Sequence, residues 1–241
     1  MKAVTSVRLL SIVSIGAPIV LSDRCGREYE QLMPQSKNNS SRGGEYMEAN
    51  YQSCKLRHAC LTPDPRGGRR MKATFGPYVV STAESLDRSE CLVKTSYLRK
   101  GYSADHIMTS ADMVFDAELC GTVIGTVMMR LDSANGLYSD ATYSHELDAM
   151  RLSGRKLAEL CRFVIMPGQP TSSVMGALFH FVYVYAHLMN DVTDLVCEVV
   201  PNHVAAQKRL LGFLQIAGPK RCERVGVDAV LLHRTLDLSD F

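Results

Sequence analysis

The sequence contains no tryptophan and no C-x-x-C pair, and no apolar run reaches the ~18 residues needed to cross a bilayer. No His/Cys spacing resembles a zinc knuckle, so no metal site is expected. A dominant charge sign is missing too. Lys+Arg number 27 against 25 Asp+Glu, a net charge of +2, which argues against a nucleic-acid binder built on bulk electrostatics. What remains is 241 residues, 46% hydrophobic and 22% charged, the balance of one large globular domain or one domain with an appendage. Several of the eight cysteines sit in apolar strand-like runs such as CEVV and ELCRFVI, which reads as reduced, buried thiols in a cytosolic protein.

Charge divides the chain. Residues 1–73 carry 12 basic and 6 acidic side chains; residues 74–241 carry 15 and 19. The first part opens with Lys2 and Arg8 ahead of LLSIVSIGAPIVL, a weak signal-like stretch interrupted by Gly16 and Pro18. QSKNNSSRGGE and TPDPRGGRR follow, so 1–73 reads as an apolar segment plus a basic, flexible extension. From residue 74 the pattern is mixed α/β. Strands are expected over 78–80, 113–119, 122–131, 157–165, 194–200, 213–216 and 229–236, with a tight hairpin at Cys120-Gly121. Helices are expected over 81–98, 174–189 and 202–211, the last stopped by Gly212, and residues 132–151 read as a polar loop. The 174–189 helix is apolar almost all round and belongs inside a fold whose parallel central strands are covered on both faces.

The blocks GTVIGTVMMRLDSANGL, HELDAMRLSGRKLAELCRFVI, DLVCEVVPNHVAAQKRLLGF and RCERVGVDAVLL, in this order, resemble the long-chain N-acyl amino acid synthase family (FeeM-like). That family is a branch of the GNAT superfamily related to the acyl-homoserine-lactone autoinducer synthases. The resemblance implies an α/β GNAT-like acyltransferase fold, a twisted mixed sheet flanked by helices. Two central parallel strands, here 157–165 and 194–200, would splay apart to hold an acyl thioester. It also implies an N-acyltransferase that moves a fatty acyl group from an acyl carrier protein to the α-amine of an amino acid. No permanent cofactor is implied; the co-substrate is an acyl-phosphopantetheine thioester, on a carrier protein or on coenzyme A. Such a donor implies a cytoplasmic protein.

Site residues follow from the same resemblance. Glu159 and Arg162 match its Glu-x-x-Arg, with Glu159 as base and Arg162 as carboxylate anchor or orienter. Residues three apart on a regular strand face opposite sides, so the pair shares a site only if a bulge resets the parity. A freed N–H near Phe163 or Ile165 would then stabilise the oxyanion. Asp132 and His203 are expected to touch the acceptor, with Glu198 as a reserve base. Leu178, Phe179, Val182 and Tyr183 would line an acyl slot, where each buried methylene contributes about 0.8 kcal/mol. As alternatives, Glu159–Arg162 is a buried ion pair, the helix residues are plain core, and Asp132 and His203 are an ordinary turn and a helix-start residue.

The chain departs from the family at Ala206-Gln207, where the pattern has Phe-Tyr, so the tyrosine that protonates the departing thiolate is absent there. The coenzyme A pyrophosphate loop R/Q-x-x-G-x-G/A is also absent. MPGQPTSSVMGAL stands in its place, and a helix start with Ser172 and Ser173 suits a single phosphate. An acidic carrier would dock on Arg151, Arg155 and Lys156, and on Lys208 and Arg209; solvated faces are the alternative. The rival functions are an acetyl-CoA-dependent acetyltransferase, an autoinducer synthase (disfavoured by the missing tryptophan) and a non-catalytic acyl- or lipid-binding module. Cys161 has no histidine close in sequence to activate it, so direct amine attack is expected over a covalent route.

Overall fold

The computed structural model describes the backbone at residues 20–22, 28–30, 56–63, 69–102 and 112–236, and side chains within those spans from residue 70 onward. Among the described residues eleven strands form one sheet in the order β10-β11-β9-β8-β7-β6-β5-β4-β3-β1-β2. In chain order β1 is Val20–Ser22, β2 Glu28–Glu30, β3 Leu56–Pro63, β4 Arg69–Phe75 and β5 Tyr78–Thr82. Then come α1 (Leu86–Arg99), β6 (Met113–Leu119), β7 (Thr122–Leu131), α2 (Asp140–Leu152), β8 (Leu157–Ile165) and α3 (Thr171–Val184). β9 (Asp194–Val199), α4 (Val204–Leu211), β10 (Leu214–Cys222) and β11 (Val227–Thr235) complete it.

Local chemistry explains most boundaries. Ser85 caps α1, its Oγ accepting from the Asp87 N–H at 3.3 Å. Cys120 and Gly121 both have positive φ, +51° and +78°, the tight turn that joins twisted antiparallel strands. Gly212, at φ +70°, ends α4 in the left-handed conformation a side chain resists. α3 continues as a π-helical turn, Tyr185–Met189. The 19-residue run Thr171–Met189 is long and apolar enough for a membrane span. Here it is the central core helix: Val174, Ala177, Leu178, Phe181 and Val182 are fully buried against the sheet.

Two expectations are corrected. Residues 132–151 are not only loop, because α2 occupies most of the second half. Its sole buried side chains are Tyr143 and Leu147, too thin a stripe to register as periodicity. Tyr143 anchors it by donating its hydroxyl to the Ala229 and Gly218 carbonyls, at 2.5 and 3.0 Å. The flexible extension expected before residue 74 contains β3 and β4, which extend the sheet antiparallel beyond β5. In β4 the alternating Met71, Ala73 and Phe75 are buried, a period-two pattern masked by Arg69 and Arg70 before it and Lys72 within it.

α3 packs tightly on β7 at Gly125. A Cβ there would come within 2.8 Å of Val174 Cγ1 and 3.1 Å of Leu178 Cδ1. Gly125→Ala is expected to cost about 1–3 kcal/mol through overpacking. Urea unfolding measures it; an unchanged midpoint would contradict the close approach.

Candidate active site

β8 and β9 run parallel, but their ladder has only three rungs: Leu157 with Asp194, Ala158 with Leu195 and Glu159 with Val196. Beyond Glu159, β8 stays with β7 while β9 stays with β11 in unbroken antiparallel register. The two strands therefore part. A cavity of about 590 Å³ opens in the gap, lined by β8 from Glu159 to Ile165 and by Cys197–Val200.

The cause of the parting lies on β8. Cys161 pairs with Met128 and Val164 with Thr126, so β8 spends one extra residue opposite Val127. Arg162 sits in this bulge with φ +51°, a left-handed conformation that costs an arginine strain energy. The bulge resets parity. Leu157 packs against α2, and Cys161 and Val164 pack in the α1 cluster, whereas Leu160, Phe163 and Ile165 face α3. Arg162 reaches Met128 Sδ at 3.6 Å, on the α1 side. Glu159 and Arg162 thus share a face, as the sequence required of a bulge.

Glu159 is 1% exposed. Its Oε2 accepts the Ser139 N–H at 3.0 Å, and Oε1 has no hydrogen-bond partner. Burial pushes its pKa above the usual carboxylate range, against the opposing pull of the Ser139 N–H and Arg224. A buried carboxylate with a raised pKa is a stronger base once ionised.

Beside it stands Tyr138, whose ring is approached by three guanidiniums: Arg130 at 3.9 Å, Arg224 at 5.2 Å and Arg162 at 5.7 Å. Tyr138 donates its hydroxyl to Asp112 at 2.9 Å, and Arg130 pairs with the same carboxylate at 2.9 Å. Arg224 pairs with Glu198, whose Oε2 also faces the Cys222 thiol at 3.7 Å. Arg162 forms no ion pair with a described residue. With two cations matched by two anions, Glu159 and Arg162 remain as one carboxylate and one guanidinium, complementary to a zwitterion.

The other expected residues scatter. Phe163, Ile165, Glu198 and His203 line the cavity. Burial and nearby Lys100 lower the His203 pKa, which favours a neutral ring. Asp132 does not line it; Arg151 occupies both its oxygens at 2.7 and 3.0 Å. On α3 only Phe179 of the expected acyl wall faces the cavity, joined by Met175 and Thr171. Leu178 and Val182 are core, and Tyr183 donates its hydroxyl to the Leu211 carbonyl at 3.3 Å. Ser172 and Ser173 lie in the first turn of α3 but outside the cavity lining.

The expected basic patch before β8 is neutralised. Arg151 binds Asp132, Asp140 and Asp148, Arg155 pairs with Asp194 at 3.4 Å, and Lys156 with Asp191 at 3.6 Å. All three precede β8, at the end where it still pairs with β9. Lys208 and Arg209 are exposed on α4, beside the cavity-lining Ala206 and Gln207. Arg99 and Lys100 line the cavity from the end of α1. Cys161 is held as a thiol, its pKa pushed far up by burial and then by Glu159, so it is no ready nucleophile.

Sequence reasoning missed Tyr138, Arg130, Arg224 and Asp112. Arg130 and Arg224 stand inside MMRLDSANGL and RCERVGVDAVLL, blocks that carried the family resemblance, yet no spacing rule links them.

A twisted mixed sheet with splayed central parallel strands and covering helices is the GNAT acyltransferase fold. The model of the N-acyl amino acid synthase FeeM family matches residues 88–235, more than half the chain. The chain belongs to that family and is an N-acyltransferase. It is similar to FeeM, an N-acyl amino acid synthase from uncultured soil microbes, at 26% identity and TM-score 0.59, over 66% of this chain and 90% of that one. It also shares its fold with an N-acetyltransferase structure from Lactobacillus plantarum, at 14% identity and TM-score 0.50, over 66% and 97%. A search of curated protein sequences finds no match.

Glu159→Gln separates base from scaffold. Turnover is expected to fall roughly 10²–10⁴-fold. Because burial raises the folded pKa of Glu159, the wild type loses stability as pH rises from about 4.5, its unfolded value, through the folded one. The variant lacks this loss, so its melting temperature relative to wild type should climb with pH across that window. A constant difference would contradict the buried, costly carboxylate.

Proposed function

We propose that this enzyme transfers a long-chain acyl group from an acyl carrier protein thioester to the α-amine of an amino acid, in the cytoplasm where such thioesters are made. The observation that carries this reading is the gap beyond Glu159–Val196, with Glu159 and Arg162 on one side of it and the apolar Phe163, Met175 and Phe179 on the other. A volume near 590 Å³ lies within the ordinary range for ligand sites. The phosphopantetheine arm carries amides and can lie along the unpaired strand edges as an added strand does. Its acyl chain runs toward Phe179 and Met175.

The acceptor enters from the α1 side. Arg162 takes its carboxylate, and Glu159 takes a proton from its ammonium. The freed amine attacks the thioester carbon, and a backbone N–H on the unpaired edge of β8 near Phe163 stabilises the oxyanion. The C–S bond breaks as the amide forms. Of the two protons that leave nitrogen, one ends on the thiolate and one reaches solvent. Gln207 stands where the family pattern has a tyrosine, so water delivers the thiol proton.

Support for the carrier is electrostatic. Arg99 and Lys100 line the cavity, and Lys208 and Arg209 are exposed on α4 next to the lining residues Ala206 and Gln207. Reversing Lys100 and Lys208 to Glu is expected to lower kcat/KM for a carrier-bound donor at least tenfold and to spare the same acyl group on pantetheine. Reversing Arg155 and Lys156 should have little selective effect. Equal losses with both donors would remove the carrier. On pantetheine donors, kcat/KM should rise about fourfold per added methylene until the cavity is full, since each buried methylene contributes about 0.8 kcal/mol. A flat series would point to a short acyl group.

A further inference from the structure

The acyl-transfer reading gives Glu159 a task and leaves a second buried carboxylate without one. Glu198 lies on β9, two residues beyond the Val196 that pairs with Glu159, so both carboxylates leave the sheet on the same face. Its cross-strand partner Leu231 packs in the same α2-side cluster as Val196 and Leu157, which fixes that face independently. The side chain of Glu198 is 6% exposed and lines the cavity. Its Oε2 is held by Arg224 and the Cys222 thiol, while Oε1 is buried with no hydrogen-bond partner. Glu159 repeats the pattern, with one oxygen anchored by Ser139 and the other unpartnered.

Two carboxylates on neighbouring strands, each with one oxygen fixed and one unsatisfied, form an incomplete polar site. A buried acceptor atom without a donor is costly and is normally paired. An ammonium would complete both at once, with three donors and the positive charge that water, with two donors, lacks. A carboxylate or phosphate would be repelled, and a neutral hydroxyl offers a single hydrogen.

We infer that Glu198 is the positioning residue for the acceptor's ammonium: its Oε1 takes one N–H, Glu159 Oε1 takes another, and Arg224 holds Glu198 in place. This rests on the N-acyltransferase reading and extends it. Glu159 removes the proton that frees the lone pair; Glu198 makes and breaks no bond, and orients the nitrogen toward the gap. The acceptor class is then a primary amine bound as its cation.

Glu198→Gln keeps shape and removes charge. Kinetics with an amino acid acceptor are compared with hydroxylamine, which is largely uncharged at pH 8, after its enzyme-free attack on the thioester is subtracted. The variant is expected to raise KM for the amino acid at least tenfold, to change KM for the thioester less than twofold, and to lose several-fold less with hydroxylamine, which carries no charge for Glu198 to match. Arg224→Gln, which frees Glu198 to move, should raise the same KM by a smaller factor. Equal loss with both nucleophiles, or an unchanged amino-acid KM, overturns the assignment. A wild type that acylates neither nucleophile above the enzyme-free rate overturns the acyltransferase reading with it, and that failure shows before any variant is made.

Discussion

Everything at this site depends on two parallel strands failing to stay paired. A parallel neighbour offers an evenly spaced ladder, and giving it up exposes backbone N–H and C=O groups that the interior normally satisfies. Here the ladder stops after three rungs because β8 carries a bulge at Arg162 opposite Val127. The extra residue bends and twists β8, while β9 keeps regular register with β11. Each strand stays satisfied on its outer edge. The inner edges are left without each other and line the cavity.

The bulge has a second consequence. By resetting parity it turns Arg162 onto the face of Glu159 and leaves Phe163 facing Phe179, with ring centroids 5.1 Å apart. One irregularity thus sorts β8 into a charged face and an oily face on opposite sides of the gap. The strain of a left-handed arginine is a local cost borne where the function is. Its guanidinium lies against Met128 Sδ and over the Tyr138 ring, beside the Asp112–Arg130 and Glu198–Arg224 ion pairs. α2 supports the far wall through Tyr143, and Lys220 ties the same helix to β10 by pairing with Glu146 at 2.9 Å.

Much of this was legible in the sequence. The Cys120-Gly121 hairpin, the Gly212 stop and the apolar α3 with Phe179 follow from local rules, and Glu159, Arg162 and Phe163 follow from motif blocks. The rest depends on contacts between distant segments. α2 hid because two buried side chains make no period. Arg151 and Arg155 read as a free patch because their partners, Asp140 and Asp194, are brought close only by the fold. Asp132 was misjudged for the same reason. Leu178 and Val182 looked like an acyl wall because composition cannot separate a residue facing a cavity from one facing Gly125. Tyr138 carried no signal at all; its importance comes from three arginines contributed by β7, β8 and the β10–β11 turn.

The most direct measurement is a crystal structure with a pantetheine thioether, a non-reactive mimic of the acyl thioester. Density for the arm should run between residues 160–165 and 197–199, with the alkyl chain against Phe179 and the sulfur-bearing carbon within reach of Glu159. An arm bound elsewhere, with the two strands closed on each other beyond Glu159 and Val196, would contradict the gap as the seat of acyl transfer.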